Sequence, residues 1–140
     1  METKEAVVDG KSMILGRTSS HIAKRLLNGE KIFIVNAEHM IITGNPMTTK
    51  QKYIERRQRG SVVSGPFFPI RPDLIVRRTV RGMLPYKTNK GRQAFKNLRV
   101  HIGVPNGFKI SEDSKVKLLN TRYITVGKLS ESLGWDKKNK

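Results

Sequence analysis

Apolar positions first gather at Ala6-Val7-Val8, and Asp9-Gly10 closes the run, which predicts a short buried strand followed by a turn. Between Ile14 and Leu27 the rhythm changes. Ile14, Ile22, Ala23, Leu26 and Leu27 recur mostly at three- and four-residue spacing, and Asn28-Gly29 supplies a stop, so a helix is expected there. Arg17 and Lys24, seven positions apart, fall on another face of it. Lys31 to Asn36, dominated by Ile32, Phe33, Ile34 and Val35, reads as a second strand, and Met40 to Thr43 as a third before the turn residues Gly44-Asn45-Pro46. Strand, helix, strand is the signature of an α/β domain.

The pattern then loosens. Met47 to Gln58 is compatible with a helix but poor in apolar residues and rich in Lys50, Lys52, Arg56 and Arg57, so it needs a partner to stay ordered. Gly60 to Pro72 holds three prolines among short apolar clusters, which predicts an extended, irregular loop at about 59–72. From Asp73 to Leu84 a clear helical stripe returns: Val76, Val80 and Met83 share one face, and Arg77, Arg78 and Arg81 share the other. The apolar face can dock on a core while three guanidiniums project outward, each a planar fork matched to phosphate oxygens. Pro85 ends that helix. A basic loop from Tyr86 to Gly91, a short helix around Gln93 to Asn97 and a strand at Leu98 to Ile102 follow. Past Gly103-Val104-Pro105-Asn106-Gly107 the charge is mixed, with a strand expected at Tyr123 to Val126 and a small helix from Lys128 to Leu133. No internal repeat or low-complexity stretch interrupts the chain.

Charge sharpens this picture. The 140 residues suit one compact domain, and 28 Lys and Arg against 11 Asp and Glu give it a formal charge of +17. Like charge on this scale repels itself, so a polyanionic partner is the natural reason for it. Fourteen basic residues and only two acidic ones, Glu55 and Asp73, lie between positions 50 and 99, a surplus of twelve; the other 90 positions carry a surplus of five. Each Lys or Arg brought to a phosphate releases condensed counterions, so the concentration points to nucleic acid rather than to a merely solvated basic face. An acidic membrane surface fits less well: no apolar run approaches the roughly 18–20 residues needed to span a bilayer, and Met1 to Gly10 lacks a signal-like apolar stretch. The expectation is a soluble, cytosolic protein with no membrane partner.

Catalytic and cofactor chemistry finds little to stand on. Cysteine is absent, which excludes disulfides, thiolate nucleophiles and cysteine zinc sites. His21, His39 and His101 are far apart, and none forms the four-residue helical pair of a zinc protease; structural or surface roles are expected for them. In Ser19-Ser20-His21 neighbouring side chains diverge by about 100° and no third orienting group is evident, so the serines are expected to cap or line the helix. There is no phosphate-binding loop ending in Gly-Lys-Ser or Gly-Lys-Thr, and no dinucleotide fingerprint. Gly16-Arg17-Thr18 near a helix start admits two readings, a backbone-and-guanidinium phosphate contact or a glycine that permits close packing. Aromatic residues are 6% of the chain and do not alternate as on a base-stacking sheet. Tyr53, Phe67 and Phe68 lie amid arginines, where each could stack individually on a base, with burial the expectation for the two phenylalanines. The chemistry favours folded RNA recognised by backbone and shape, with no cofactor, no metal and no small-molecule substrate.

Several runs of residues resemble the universal large-subunit ribosomal protein thirteen family in its archaeal or eukaryotic form. They are Val8-Asp9-Gly10, Leu15-Gly16-Arg17, Ile34-Val35-Asn36-Ala37-Glu38, Thr43-Gly44-Asn45, Val80-Arg81-Gly82-Met83-Leu84-Pro85, Lys87-Thr88, Lys90-Gly91 and Leu98-Arg99-Val100, in the family's order over roughly residues 6 to 105. Tyr123-Ile124-Thr125-Val126-Gly127, Leu133-Gly134-Trp135 and the short link from Leu27 to Ile32 are similar to the archaeal and eukaryotic branch, which makes about 106–140 a branch-specific C-terminal segment of one rRNA-binding domain. The resemblance implies a three-layer α/β/α fold around a small, mostly parallel sheet of about four strands. It also implies a structural constituent of the large subunit that binds and organises ribosomal RNA, beside neighbouring ribosomal proteins, during assembly and translation. RNA contact is carried over onto Arg17, Arg77, Arg78, Arg81, Lys87, Lys90 and Arg92. Charge alone adds Lys24, Lys50, Lys52, Arg56, Arg57, Arg59 and Arg71. Two rival readings are a free RNA-binding translational regulator and an RNA-processing enzyme, the latter in need of an acid/base or metal cluster that 11 scattered carboxylates do not form.

Overall fold

A computed structural model describes residues 3–110 and 120–138; the mixed-charge stretch at 111–119 lies outside the described residues. The elements in chain order are β1 (Glu5–Asp9), α1 (Leu15–Leu27), β2 (Lys31–Val35), a 3-10 turn (Ala37–His39), β3 (Ile41–Thr43), α2 (Pro46–Gln58), α3 (Pro72–Met83), α4 (Asn89–Lys96), β4 (Leu98–Val100), β5 (Tyr123–Thr125) and α5 (Val126–Ser132). The α/β class holds and the main sheet is parallel. Its order is β1-β2-β4, while β3 and β5 form a separate antiparallel pair, so five strands divide between two small sheets where one sheet of about four is expected. A single bridge between Ile14 and Ile41 links β3 to the start of α1.

The register fixes the faces of the sheet. Val8 pairs with Ile34, and Ile32 and Ile34 pair with Leu98 and Val100, so these side chains lie on one face. That face is the core: Ile32, Ile34 and Leu98 are fully buried together with Ile22 and Leu26 of α1, Ile75, Val76 and Val80 of α3, and Ala94 of α4. Each such aliphatic side chain contributes about 1.5–3 kcal/mol by leaving water. Val7 pairs with Phe33, and Phe33 with Arg99, on the opposite face. On that face lie the rings of Phe33, His101 and Phe108, with Phe33 stacked on His101 at 6.5 Å between centroids.

The family-like motifs at the strand ends turn out to be ties. Asn36 sits in the left-handed region at φ 54° and ψ 41°, a conformation that asparagine tolerates better than most residues. Its side-chain NH2 donates to the Asp9 carboxylate at 3.0 Å, and the same oxygen accepts the Lys11 N–H at 3.0 Å. Glu38 accepts the Gly103 N–H at 3.0 and 3.1 Å. Gly10 fits because a β-carbon there would stand 2.8 Å from Met40 Cγ.

α3 is the element that joins this core to the basic face. Pro72 opens it at a position where a missing N–H costs nothing, and Asp73 in its first turn complements the helix dipole. Its buried stripe is Ile75, Val76 and Val80. Met83, expected on that stripe, is instead 43% exposed, because the helix stops at Met83 and Leu84 turns into the core in its place. α4 begins at Asn89, four residues before the expected start, since Thr88 caps it by accepting the Gly91 N–H at 3.2 Å while its own hydroxyl donates to the Pro85 carbonyl at 2.8 Å. The expected basic loop of Tyr86 to Gly91 is therefore a tight turn, with Lys90 and Arg92 on the helix. No helix among the described residues is long and apolar enough to cross a membrane.

Candidate nucleic-acid interface

The surplus cations would repel one another if nothing held them, and the structure shows what does. Arg77 lies over the Phe95 ring of α4 at 4.6 Å, Arg78 over Phe68 of the proline-rich loop at 4.8 Å, and Arg81 over Tyr86 at 5.4 Å. From α2, Arg56 lies over Tyr53 at 5.2 Å and over the same Phe68 ring at 5.9 Å. A guanidinium is drawn to the negative face of a ring, at about 0.5–1 kcal/mol where partly exposed, and a seated plane gives up little freedom when it binds a planar anion. Arg78 is fixed further by donating from Nη1 to the Phe67 carbonyl at 3.3 Å. Aromatic residues sparse in sequence thus converge in space, as seats for arginines from two helices.

The electrostatics leave this face unsatisfied. Partial burial and the like charges of Arg81 and Arg56 pull the Arg78 guanidinium below its ordinary range. Arg56, Arg77, Arg78 and Arg81 enter none of the ion pairs among the described residues, and the inaccessible Arg77 Nε–H has no acceptor among them. A group of phosphates would supply the missing counter-charge. Two neighbouring clefts open on the face. One of about 290 Å³ is lined by Phe67, Leu74, Phe95 and the three α3 arginines; one of about 340 Å³ is lined by Arg56, Arg59, Pro66, Phe68 and Arg78. Arg78 belongs to both.

The other candidate residues distribute unevenly. Lys87 is exposed in the turn after α3, and Lys90 and Arg92 are exposed on the first turns of α4, which follows the Arg81–Tyr86 contact directly. Gly91 sets that arrangement: a β-carbon there would stand 2.0 Å from the Pro85 carbonyl oxygen. On α2 Lys52 is exposed and Lys50 half-buried, and Arg59, just past its end, is exposed; Asn45 and Pro46 start the helix, the Asn45 side chain accepting the Met47 N–H at 3.0 Å. Arg57 turns the other way and donates to the Leu133 carbonyl at 2.9 Å. Arg71 pairs with Asp73 at 3.1 Å. Arg17 borders a third cavity of about 500 Å³ that Tyr53 also lines, which connects the start of α1 to α2. Lys24 is exposed farther along α1 and is not gathered in. The packing reading of Gly16 fails, because nothing lies within 4 Å of where its β-carbon would be. Among the described residues no group of three or more His, Cys, Asp or Glu is placed to hold a metal ion.

Sequence reasoning missed Phe95 and Tyr86 as arginine seats and misjudged Phe67, which is 68% exposed although burial is expected for it. Tyr86 lies five positions after Arg81 across a helix break and Phe95 eighteen after Arg77, so neither pair has the three- or four-residue spacing that would mark it as a local helical contact. Tyr53, by contrast, is nearly buried, and burial raises its phenol above the usual value against the pull of Arg56.

The profile of the family described as Ribosomal protein L13 matches residues 3–106. The chain is 46% identical over 137 residues to the large ribosomal subunit protein uL13 of Methanopyrus kandleri, a match that covers 92% of this chain and 86% of that protein. It is 48% identical over 132 residues to uL13 of Methanocaldococcus jannaschii, covering 91% and 96%, and 44% identical over 132 residues to uL13 of Natronomonas pharaonis, covering 93% and 91%.

Proposed function

The chain belongs to the ribosomal protein L13 family, and we propose that it serves as a structural constituent of the large ribosomal subunit by holding ribosomal RNA against the face built by α2, α3 and the start of α4. Its work is non-enzymatic, on the cytoplasmic ribosome. The observation that carries the assignment of the face is the set of four arginines, Arg56, Arg77, Arg78 and Arg81, seated on aromatic rings with no carboxylate partner among the described residues. Such planes present two-pronged donors at fixed positions, so the phosphates of a folded RNA are met by shape as well as by charge. Lys87, Lys90 and Arg92 extend the contact past the turn, and Lys52 and Arg59 extend it along α2.

The whole chain acts as one RNA-binding unit, with rRNA as the main partner and neighbouring large-subunit proteins on surfaces away from the arginines. Because the site binds and does not transform, its product is geometry: RNA strands brought to a rigid α/β body are held at fixed distances. Sedimentation tests the reading. The protein should travel with the large subunit, and the Lys87→Ala, Lys90→Ala, Arg92→Ala variant should be released at lower salt than the wild type. Protein that stays at the top of the gradient, or a variant as salt-resistant as the wild type, would overturn it.

A further inference from the structure

Phe67 stands apart from the other aromatic residues of the basic face. Tyr53, Phe68, Tyr86 and Phe95 each carry a guanidinium; the Phe67 ring carries none among the described residues, and it is 68% exposed. A large ring left in water in a disordered loop would need no explanation, but this one is held in place. The Phe67 carbonyl accepts from Arg78 Nη1 at 3.3 Å. The loop before it is closed by reciprocal backbone bonds between Ser61 and Gly65, at 3.0 and 3.1 Å. Gly65, at φ +79°, has the ring so close that a β-carbon would stand 3.1 Å from it, so the glycine permits the ring to lie across the backbone.

The cleft that this ring borders has a mixed character. Leu74 and Phe95 are apolar; Arg77, Arg78 and Arg81 are cationic, and no carboxylate among the described residues lines it. Its volume of about 290 Å³ lies just below the roughly 300–1,000 Å³ of drug-sized sites, a size suited to one flat ring. We propose that this cleft takes a single unpaired RNA base, turned out of its helix and stacked on Phe67, with the α3 guanidiniums on the flanking phosphates and base edge. Bases of RNA that are unstacked and splayed out are recognised in this way, on aromatic faces and arginine planes. An apolar protein side chain would fill the ring's place but leave three guanidiniums unpaired, which is why charge favours the nucleotide. The inference rests on the RNA-binding reading of the face and adds a base-level contact to it.

The test uses the full chain, protein-free large-subunit rRNA, and the variants Phe67→Ala and Phe67→Trp, with 2′-hydroxyl acylation mapped at each nucleotide. The wild type should protect at least one unpaired nucleotide. Phe67→Ala should restore reactivity there and weaken binding by about 5- to 150-fold, the range that base–aromatic stacking implies, with an unchanged salt slope; Phe67→Trp should keep both. Wild-type affinity and protection in Phe67→Ala would overturn the proposal, as would weaker binding with no nucleotide-specific change, or an effect confined to assembled subunits, which would mark a protein neighbour. If Phe67→Ala is silent while loss of the three α3 arginines still flattens the salt dependence, only the base contact fails. If neither changes, the whole face is wrong.

Discussion

Replacing Arg77, Arg78 and Arg81 together by Ala removes the densest charge on the molecule while leaving Ile75, Val76 and Val80, the buried side of the same helix, untouched. Three ring contacts are lost, at about 0.5–1 kcal/mol each, so the fold should give up about 1.5–3 kcal/mol, offset in part because Arg78 no longer faces the charges of Arg81 and Arg56. Against the roughly 5–15 kcal/mol of a typical domain this leaves a folded protein. RNA binding should change in kind as well as in strength. Each phosphate contact contributes about 0.7–0.9 to the slope of log affinity against log salt, so three lost contacts flatten the slope by about 2–3. A fourfold rise in salt should therefore narrow the gap between wild type and variant by about 20- to 40-fold. Filter binding or fluorescence anisotropy across a salt series, with circular dichroism to verify folding, reads this directly. A folded variant with the wild-type slope would refute the idea that these guanidiniums meet phosphates.

Other expectations separate scaffold from site. Gly91→Ala drives a methyl group into the Pro85 carbonyl and should cost about 1–3 kcal/mol of stability, a fall of several degrees in Tm by calorimetry; an unchanged Tm would mean that the α3–α4 turn is not as tightly fitted as the geometry says. Arg57→Ala loses the bond to the Leu133 carbonyl and should lower stability by about 1–2 kcal/mol in urea titration while leaving the salt slope of RNA binding nearly intact; a flattened slope would place Arg57 on the RNA. Tyr53 should keep its proton above the ordinary value of 10.0 because burial disfavours the phenolate. The unfolded chain then loses that proton first, so stability is present below about pH 10 and falls as pH rises beyond it. Absorbance titration at 295 nm should show a late-ionising tyrosine that moves later still in Arg56→Ala, and a Tyr53→Phe variant that loses an ordinary component while the late one stays would contradict this.

What could be read in the chain beforehand follows the reach of each physical signal. The α1 and α3 faces were legible because each buries one side against a core, and periodicity reports that directly; Ile75 was overlooked because α3 also packs against β4 and α5, and a stripe widened by two-sided packing exceeds the three positions that spacing picked out. Met83 falls on the periodic stripe yet stands in solvent, because the pattern does not say where a helix stops. The partnership of β3 with β5 joins Ile42 to Ile124, and no local rhythm encodes a pairing across that distance. Within the site, the charge surplus and the arginine spacing on α3 were plain, since they are properties of composition and of one helix. The aromatic seats were not, because Phe68, Tyr86 and Phe95 reach their arginines from three different segments. Arg57 illustrates the converse: as a charge it looks like its neighbour Arg56, and only the position of Leu133 sends it elsewhere.

The central claim is that the face of α2, α3 and the α3–α4 turn lies on ribosomal RNA, and the absence of cysteine from the chain allows it to be addressed residue by residue. A single cysteine placed at exposed Arg59 or Lys87, carrying a tethered iron chelate that generates hydroxyl radicals and incorporated into large subunits, should cut the rRNA backbone at a few discrete sites, with sites from the two positions close together in the folded RNA. Intact rRNA from both positions, in subunits that contain the labelled protein, would contradict the account.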